Sequence, residues 1–127
     1  MPVIEIELDN RSGTEVDTEA VTALARAVLT AEEIDEGELG ISFVASHEIA
    51  TLKREHLGVE EATDVLSFPI DGREALPPGV PRQLGDVVLC PQVVGSAWRQ
   101  PLVHGLLHLL GYDHGEEMER REANLLM

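Results

Sequence analysis

The chain predicts an α+β fold: a single small mixed β-sheet of about four strands packed with helices, with a metal-binding helix at a cleft. Three observations lead there. Short apolar runs closed by turn residues recur four times, at Val3 to Leu8, Gly40 to Val44, Asp64 to Pro69 and Asp86 to Cys90. Segments with apolar residues at helical spacing lie between and after them. The resulting order, β α β α β β α α, mixes strands and helices without strict alternation. At 127 residues the chain has the length of one ordinary domain with a real core, and residues 1–127 are read as a single domain.

Val3-Ile4-Glu5-Ile6-Glu7-Leu8 alternates and reads as a strand closed by Asp9-Asn10. Asp17 or Thr18 caps a helix whose core stripe is Val21, Leu24, Ala25, Val28 and Leu29. Glu32 to Gly40 reads as an acidic loop before the second strand. Ser46 is a fitting N-cap for a helix to Leu57, ended by Gly58. Asp64 to Pro69 is a buried strand stopped by proline. Asp71 to Arg82 holds three of the seven prolines and two glycines, the composition of a surface loop, and such loops beside strand ends often carry function. After the strand Asp86 to Cys90, Pro101 suits the first turn of the next helix, where its missing N–H costs little. Glu116 to Leu126 reads as a short closing helix.

Composition narrows the function classes. Apolar residues make up 43% and charged residues 26%, as in soluble globular proteins. No apolar run approaches a membrane span, and Met1-Pro2-Val3-Ile4-Glu5 lacks the basic-then-apolar pattern of a secretory signal. Cys90 is alone, so no internal disulfide forms, which suits a reducing cytoplasm. The formal net charge is −15, whereas nucleic-acid binders usually present a basic face. The acid collects at Glu32 to Glu38, at Glu60 and Glu61, and at Glu116 to Glu122, and most of it reads as solvated surface. Any phosphate must then be met locally, by a metal and a few arginines.

His104-Gly105-Leu106-Leu107-His108-Leu109-Leu110-Gly111-Tyr112-Asp113-His114 carries the chemistry. His104 and His108, four apart on a helix, aim two imidazoles at one point. Gly111 lets the chain turn out of the helix and bring His114 back as a third ligand. Three imidazoles around an open fourth position describe a catalytic Zn2+ site rather than a structural one. Zinc peptidases with this ligand spacing carry Glu after the first His, where this chain has Gly105, so the cage is present without that general base. Asp113 is either a general base or a carboxylate that caps the turn and orients a ligand histidine. Asp64 and Asp86, at strand starts, read as backbone caps, and Ser67 and Thr63 as hydrogen-bonded strand hydroxyls. His47 and His56, nine apart, read as surface residues. Trp98 either stacks a base or anchors its loop. Arg99 beside it is a candidate phosphate contact.

The histidine motif resembles the signature of the YbeY endoribonuclease family of 16S rRNA maturation factors. Thr63-Asp64-Val65-Leu66-Ser67-Phe68-Pro69 and Leu84-Gly85-Asp86-Val87-Val88-Leu89 are similar to that family's two other signatures, in the same order. The resemblance implies a metal-dependent, single-strand-specific endoribonuclease that acts in small-subunit maturation and RNA quality control. It implies His104, His108 and His114 as ligands of one Zn2+, and single-stranded RNA, 16S rRNA and the small ribosomal subunit as partners. Two positions depart from the pattern. The family's arginine before the glycine at 58 is Leu57 here, with Arg54 one helical turn back as the candidate replacement. The segment preceding the histidine helix is shortened to Pro91 to Gln100. The competing functions are a ribosome-assembly binding protein with a structural metal, and a zinc hydrolase of a non-nucleic substrate.

Overall fold

The computed structural model describes residues 3–57, 65–113 and 115–127, with the backbone alone at Leu57. Their order is β1 (Val3–Asn10), α1 (Thr18–Ala31), β2 (Glu36–Phe43), α2 (Ser46–Leu57), β3 (Val65–Pro69), β4 (Gln83–Leu89), α3 (Pro91–Val94), α4 (Arg99–Leu109) and α5 (Glu116–Leu125). The strands form one mixed sheet in the order β1-β2-β4-β3, with β1, β2 and β4 parallel and β3 antiparallel to β4. This is the α+β arrangement that the sequence predicts. Among the described residues, no helix is long and apolar enough to cross a membrane.

Three boundaries differ from expectation. Residues 36–40, expected to be loop, are the first half of β2: Glu36 pairs with Val3 and Glu38 with Glu5. Glu36 and Glu38 face water while Leu39, Ile41 and Phe43 are buried, so the charge marks a solvated sheet face rather than a loop. β4 starts at Gln83, inside the expected loop, which puts Asp86 in mid-strand opposite Gly40 and Phe68 rather than at a strand end. Pro91 also opens a one-turn helix, α3, in the segment expected to be a bare connection.

The pleat divides the apolar side chains between two layers. On one face Leu39, Ile41, Phe43, Val87 and Leu89 pack with Val21, Ala25, Val28 and Leu29 of α1, Leu102 and Leu106 of α4, and Met118 of α5. On the other, Leu66, Val88 and Cys90 pack with Val44 and Ile49, with Leu52 and Phe68 at the margin. That second layer, from α2, covers the β3–β4 side of the sheet. The β1–β2 side of the same face shows Glu5, Glu7, Glu36 and Glu38 to water.

Two helices end in the same way, with different residues. After α4, the Gly111 N–H reaches the His108 carbonyl at 3.1 Å and the Tyr112 N–H reaches that of Leu107 at 3.1 Å, with Gly111 at φ +98°. This Schellman turn is the exit that the sequence predicts at Gly111. After α1, the N–H groups of Glu33 and Ile34 bond to Thr30 and Leu29 in the same pattern, but the left-handed position is held by Glu33 at φ +62°. A side chain there costs on the order of 1 kcal/mol.

Candidate metal centre

The histidine helix lies directly on the sheet. Pro101, Leu102, Val103, Leu106, Leu107 and Leu109 are buried, and Gly105 is buried among them against β3 and β4. A Cβ on Gly105 would stand 2.9 Å from Val87 Cγ1 and 3.1 Å from both Ser67 Oγ and Val65 Cγ2. Ser67 Oγ donates to the Gly105 carbonyl at 3.1 Å, which pins helix to strand. The position at which a zinc peptidase keeps its catalytic Glu is therefore a helix–sheet contact with no space for a side chain.

His104 and His108 lie on the open flank of α4, half-buried, in the wall of a cleft of about 830 Å³. His56 from α2, Ser67 and Phe68 from β3, Asp71 and Arg73 from the following loop, and Asp113 are among its other lining residues. The two imidazoles face each other edge to face, Nε2 to Nε2 at 3.1 Å. His108 Nδ1 lies 2.9 Å from the Tyr112 carbonyl oxygen, an acceptor, so Nδ1 carries the proton and Nε2 presents its lone pair. His104 Nδ1 faces Glu122 Oε1 at 3.5 Å, and Gln100 donates to that same oxygen. Either a proton or a cation must lie between the two Nε2 atoms, because two lone pairs repel at this distance.

The pair has the dimensions of a metal's ligands. Two nitrogens bonded to one Zn2+ at about 2.0–2.1 Å stand about 2.9 Å apart at a right angle and about 3.4 Å apart at the tetrahedral angle. The observed 3.1 Å lies between these limits. Nδ1 atoms turned to a carbonyl and a carboxylate also match how metal-bound histidines are usually held. Among the described residues, no three His, Cys, Asp or Glu side chains converge on one point. The third expected ligand, His114, lies outside the described residues, as do Thr63, Asp64 and the side chain of Leu57.

The other sequence candidates divide between the cleft and the rest of the surface. Asp113 is exposed on the cleft wall. Arg54 is exposed on the last turn of α2 and is not among the described residues that line the cleft. It sits two positions from His56, and so on about the opposite side of the helix. Trp98 packs against the main core with the Arg99 guanidinium 4.4 Å above its ring, away from the histidines. His47 and His56 are both exposed as expected, and His56 also meets Phe68 edge-on at 4.8 Å on the wall of the cleft.

This chain matches the family model described as Endoribonuclease YbeY over residues 6–126. It belongs to the YbeY endoribonuclease family. It is 40% identical to Endoribonuclease YbeY of Salinispora tropica, over 94% of this chain and 88% of that relative. With the protein of the same name from Chloroflexus aurantiacus the identity is 42%, over 97% and 92%. With that of Acidothermus cellulolyticus it is 43%, over 92% and 83%. The solution structure of TM1509 from Thermotoga maritima shares the fold with a TM-score of 0.60 at 23% identity, covering 95% of this chain and 86% of that one.

Beside the histidines this YbeY family member has a charged cluster that sequence reading missed. Glu32, the C-cap of α1, is buried, with a side chain 1% exposed. Its Oε1 accepts from Tyr112 Oη at 2.7 Å and Arg73 Nη2 at 2.8 Å; its Oε2 accepts from Arg121 Nε at 2.9 Å and from Nη2 of the same guanidinium. Arg73 Nη1 also donates to the Glu32 carbonyl at 2.9 Å. Burial pushes the Glu32 carboxyl up, but hydrogen bonds from Arg121 and Tyr112, with the charges of Arg121 and Arg73, outweigh it and hold the carboxyl below the usual glutamate range. The hydrogen bond to Glu32 raises the Tyr112 phenol.

A pH dependence of stability follows. Because the folded carboxyl is more acidic than the unfolded one, the contribution of Glu32 is complete above the unfolded value of 4.5 and is lost as pH falls through the lower folded value. Glu32→Gln lowers the unfolding free energy at pH 7 by about 2 kcal/mol, the modest end for a buried charge because the two guanidinium partners are partly hydrated. Urea unfolding at pH 7 and pH 3 checks this: the gap between wild type and variant shrinks at pH 3. A gap of the same size at both pH values rules the account out.

Proposed function

We propose that this chain is a metal-dependent, single-strand-specific endoribonuclease of the cytoplasm, working as one domain in 16S rRNA maturation and ribosome quality control. Its partners are then single-stranded RNA, 16S rRNA and the small ribosomal subunit. The observation that carries the reading is the facing Nε2 pair of His104 and His108 on a cleft wall, in a chain of this family. His104, His108 and His114 would hold one Zn2+. Bound there, the ion would polarise a phosphodiester oxygen and acidify a bound water towards pH 7.

The chain's own residues supply the rest. The Tyr112 carbonyl accepts from His108 Nδ1, which leaves Nε2 as the nitrogen that faces His104. Asp113, exposed on the cleft wall, is the carboxylate to take a proton from the attacking hydroxyl, whether water or the RNA 2′-hydroxyl. Its other role is to hold the turn that leads to His114. Gly105 leaves no peptidase base, which disfavours peptide cleavage. Part of the −15 charge lies off the cleft, while Asp71, Glu74 and Asp113 stand on its wall. Glu5, Glu7, Glu36 and Glu38 are on β1 and β2, while β3 lines the cleft. Three strand spacings, about 14 Å, separate β1 from β3 and two, about 10 Å, separate β2 from it, and physiological salt screens exposed charges beyond about 8 Å.

The test is a cleavage assay on a single-stranded RNA oligonucleotide with clean protein. Cleavage is expected, with its loss in a chelator and its return on adding Zn2+. A metal-loaded protein that binds the RNA without cutting it favours the assembly-factor reading. Turnover that chelation leaves unchanged refutes the metal's role.

A further inference from the structure

Glu32 stands where local chemistry disfavours a carboxylate. It is almost fully buried, which penalises charge. It caps the C-terminus of α1, the negative end of the helix dipole. The turn it begins places Glu33 at φ +62°. Residues that break several local rules at once are found chiefly at functional sites. The compensation is its set of partners: Tyr112 and Arg73 line the histidine cleft, and Arg121 is on the helix whose Glu122 faces His104.

Tyr112 supplies the carbonyl that holds His108 Nδ1, and its phenol is fastened to Glu32 Oε1. Arg121 precedes Glu122, whose carboxylate faces His104 Nδ1, and its guanidinium is fastened to Glu32 Oε2. Arg73 lies in the loop that forms the cleft wall after β3, and it is fastened to both the carboxylate and the main-chain carbonyl of Glu32. One carboxylate thus ties together the α4–α5 turn, α5 and the β3–β4 loop. The first two carry the groups that face the two imidazoles, the Tyr112 carbonyl and the Glu122 carboxylate.

We propose that Glu32 is the positioning residue of the histidine centre. It sets the orientation of His108 through Tyr112 and of His104 through the Arg121–Glu122 segment, without touching either ring. This rests on the metal reading above. It adds that the precision of the centre is set from α1, some seventy residues before the first histidine. Neutralising Glu32 weakens its hold on the Tyr112 phenol and the Arg121 guanidinium together, so the two segments that carry the imidazoles' partners each lose an anchor.

The experiment is Zn2+ titration of the metal-free protein by calorimetry, with a chromophoric chelator as competitor. The proteins compared are wild type, Glu32→Gln, Tyr112→Phe and Val28→Ala. Val28 is buried in α1 outside the cluster, so its truncation reports the effect of lost stability alone. Far-UV circular dichroism selects the variants that fold. Glu32→Gln is expected to bind Zn2+ about 10-fold more weakly, the low end of the range for losing an outer hydrogen-bond partner of a metal ligand, because Glu32 acts through those partners. Tyr112→Phe, which removes one oxygen atom, shifts affinity in the same direction. Val28→Ala stays close to wild type. Long-range 15N–1H spectra of the metal-free protein should show the His108 proton on Nδ1 in wild type, and mixed tautomers in Glu32→Gln. Wild-type affinity retained in Glu32→Gln and Tyr112→Phe overturns the proposal while leaving the metal reading intact. An equal loss in Val28→Ala overturns it as well. A wild-type chain that binds no Zn2+ overturns the metal reading itself, and this proposal with it.

Discussion

Gly105→Glu is expected to unfold the protein rather than give it peptidase activity. The substitution restores the zinc-peptidase pattern in the sequence, but in space the new side chain grows from the buried flank of α4 into Val87, Val65 and Ser67. Val87 is held in the centre of the sheet and Val65 on β3, so neither retreats without moving a strand. Overpacking of this kind costs about 1–3 kcal/mol, and a carboxylate left without a partner in the helix–sheet interface adds several more. The sum, upwards of about 4 kcal/mol, approaches the whole stability of many small domains. Gly105→Ala grades the effect. Alanine favours a helix over glycine by about 1 kcal/mol, yet its Cβ already meets Val87 Cγ1 at 2.9 Å, so the variant should still be less stable than wild type. Urea unfolding followed by circular dichroism reads both. A Gly105→Glu protein with the wild-type midpoint would show that α4 does not sit on the sheet at this residue.

That contact explains why the histidine helix was legible in sequence while its surroundings were not. The i, i+4 spacing of His104 and His108 and the exit at Gly111 are local, and local geometry follows directly from the residues. The core stripe of α1 was legible for the same reason, since Val21, Ala25, Val28 and Leu29 share one helical face. Glu32 is the opposite case. Its partners lie 41, 80 and 89 residues away, and in sequence it is one acid in an acidic run. A signal lay in the neighbouring residues, although it was weak. Glu36, Glu38, Leu39, Ile41 and Phe43 alternate with period two, and reading that period turns the expected loop into β2. His56 is exposed, as its sequence reading has it, but helical spacing from His47 tests only whether the two share a face and says nothing of its place on the cleft rim. Its partner, Phe68, is on β3 beyond the next connection. Pairings that depend on tertiary packing leave no periodic trace in the chain.

The two histidines should be the most sensitive positions for activity. His104→Ala and His108→Ala are each expected to lower kcat/KM for single-stranded RNA by at least about 10³-fold, since several kcal/mol of charge stabilisation go with the metal and each 1.36 kcal/mol is a factor of ten. Both rings lie half-buried at a cleft wall, so truncation should leave far-UV circular dichroism close to that of wild type. Arg54→Ala separates the ligands from the sequence's candidate for phosphate contact. His56 is the α2 residue in the described cleft wall, and Arg54 is on the other side of that turn. Its removal should change kcat/KM by less than about threefold, because Arg54 is exposed, is not among the described residues that line the cleft, and contributes a charge that salt screens. Leu57→Arg, which restores the residue that the resemblance expects, should raise kcat severalfold if the chain has merely lost that arginine. A 100-fold loss in Arg54→Ala, with no gain in Leu57→Arg, would instead show that Arg54 swings into the cleft when RNA binds and replaces it. Near-wild-type cutting by His108→Ala would remove the metal centre from the chemistry altogether.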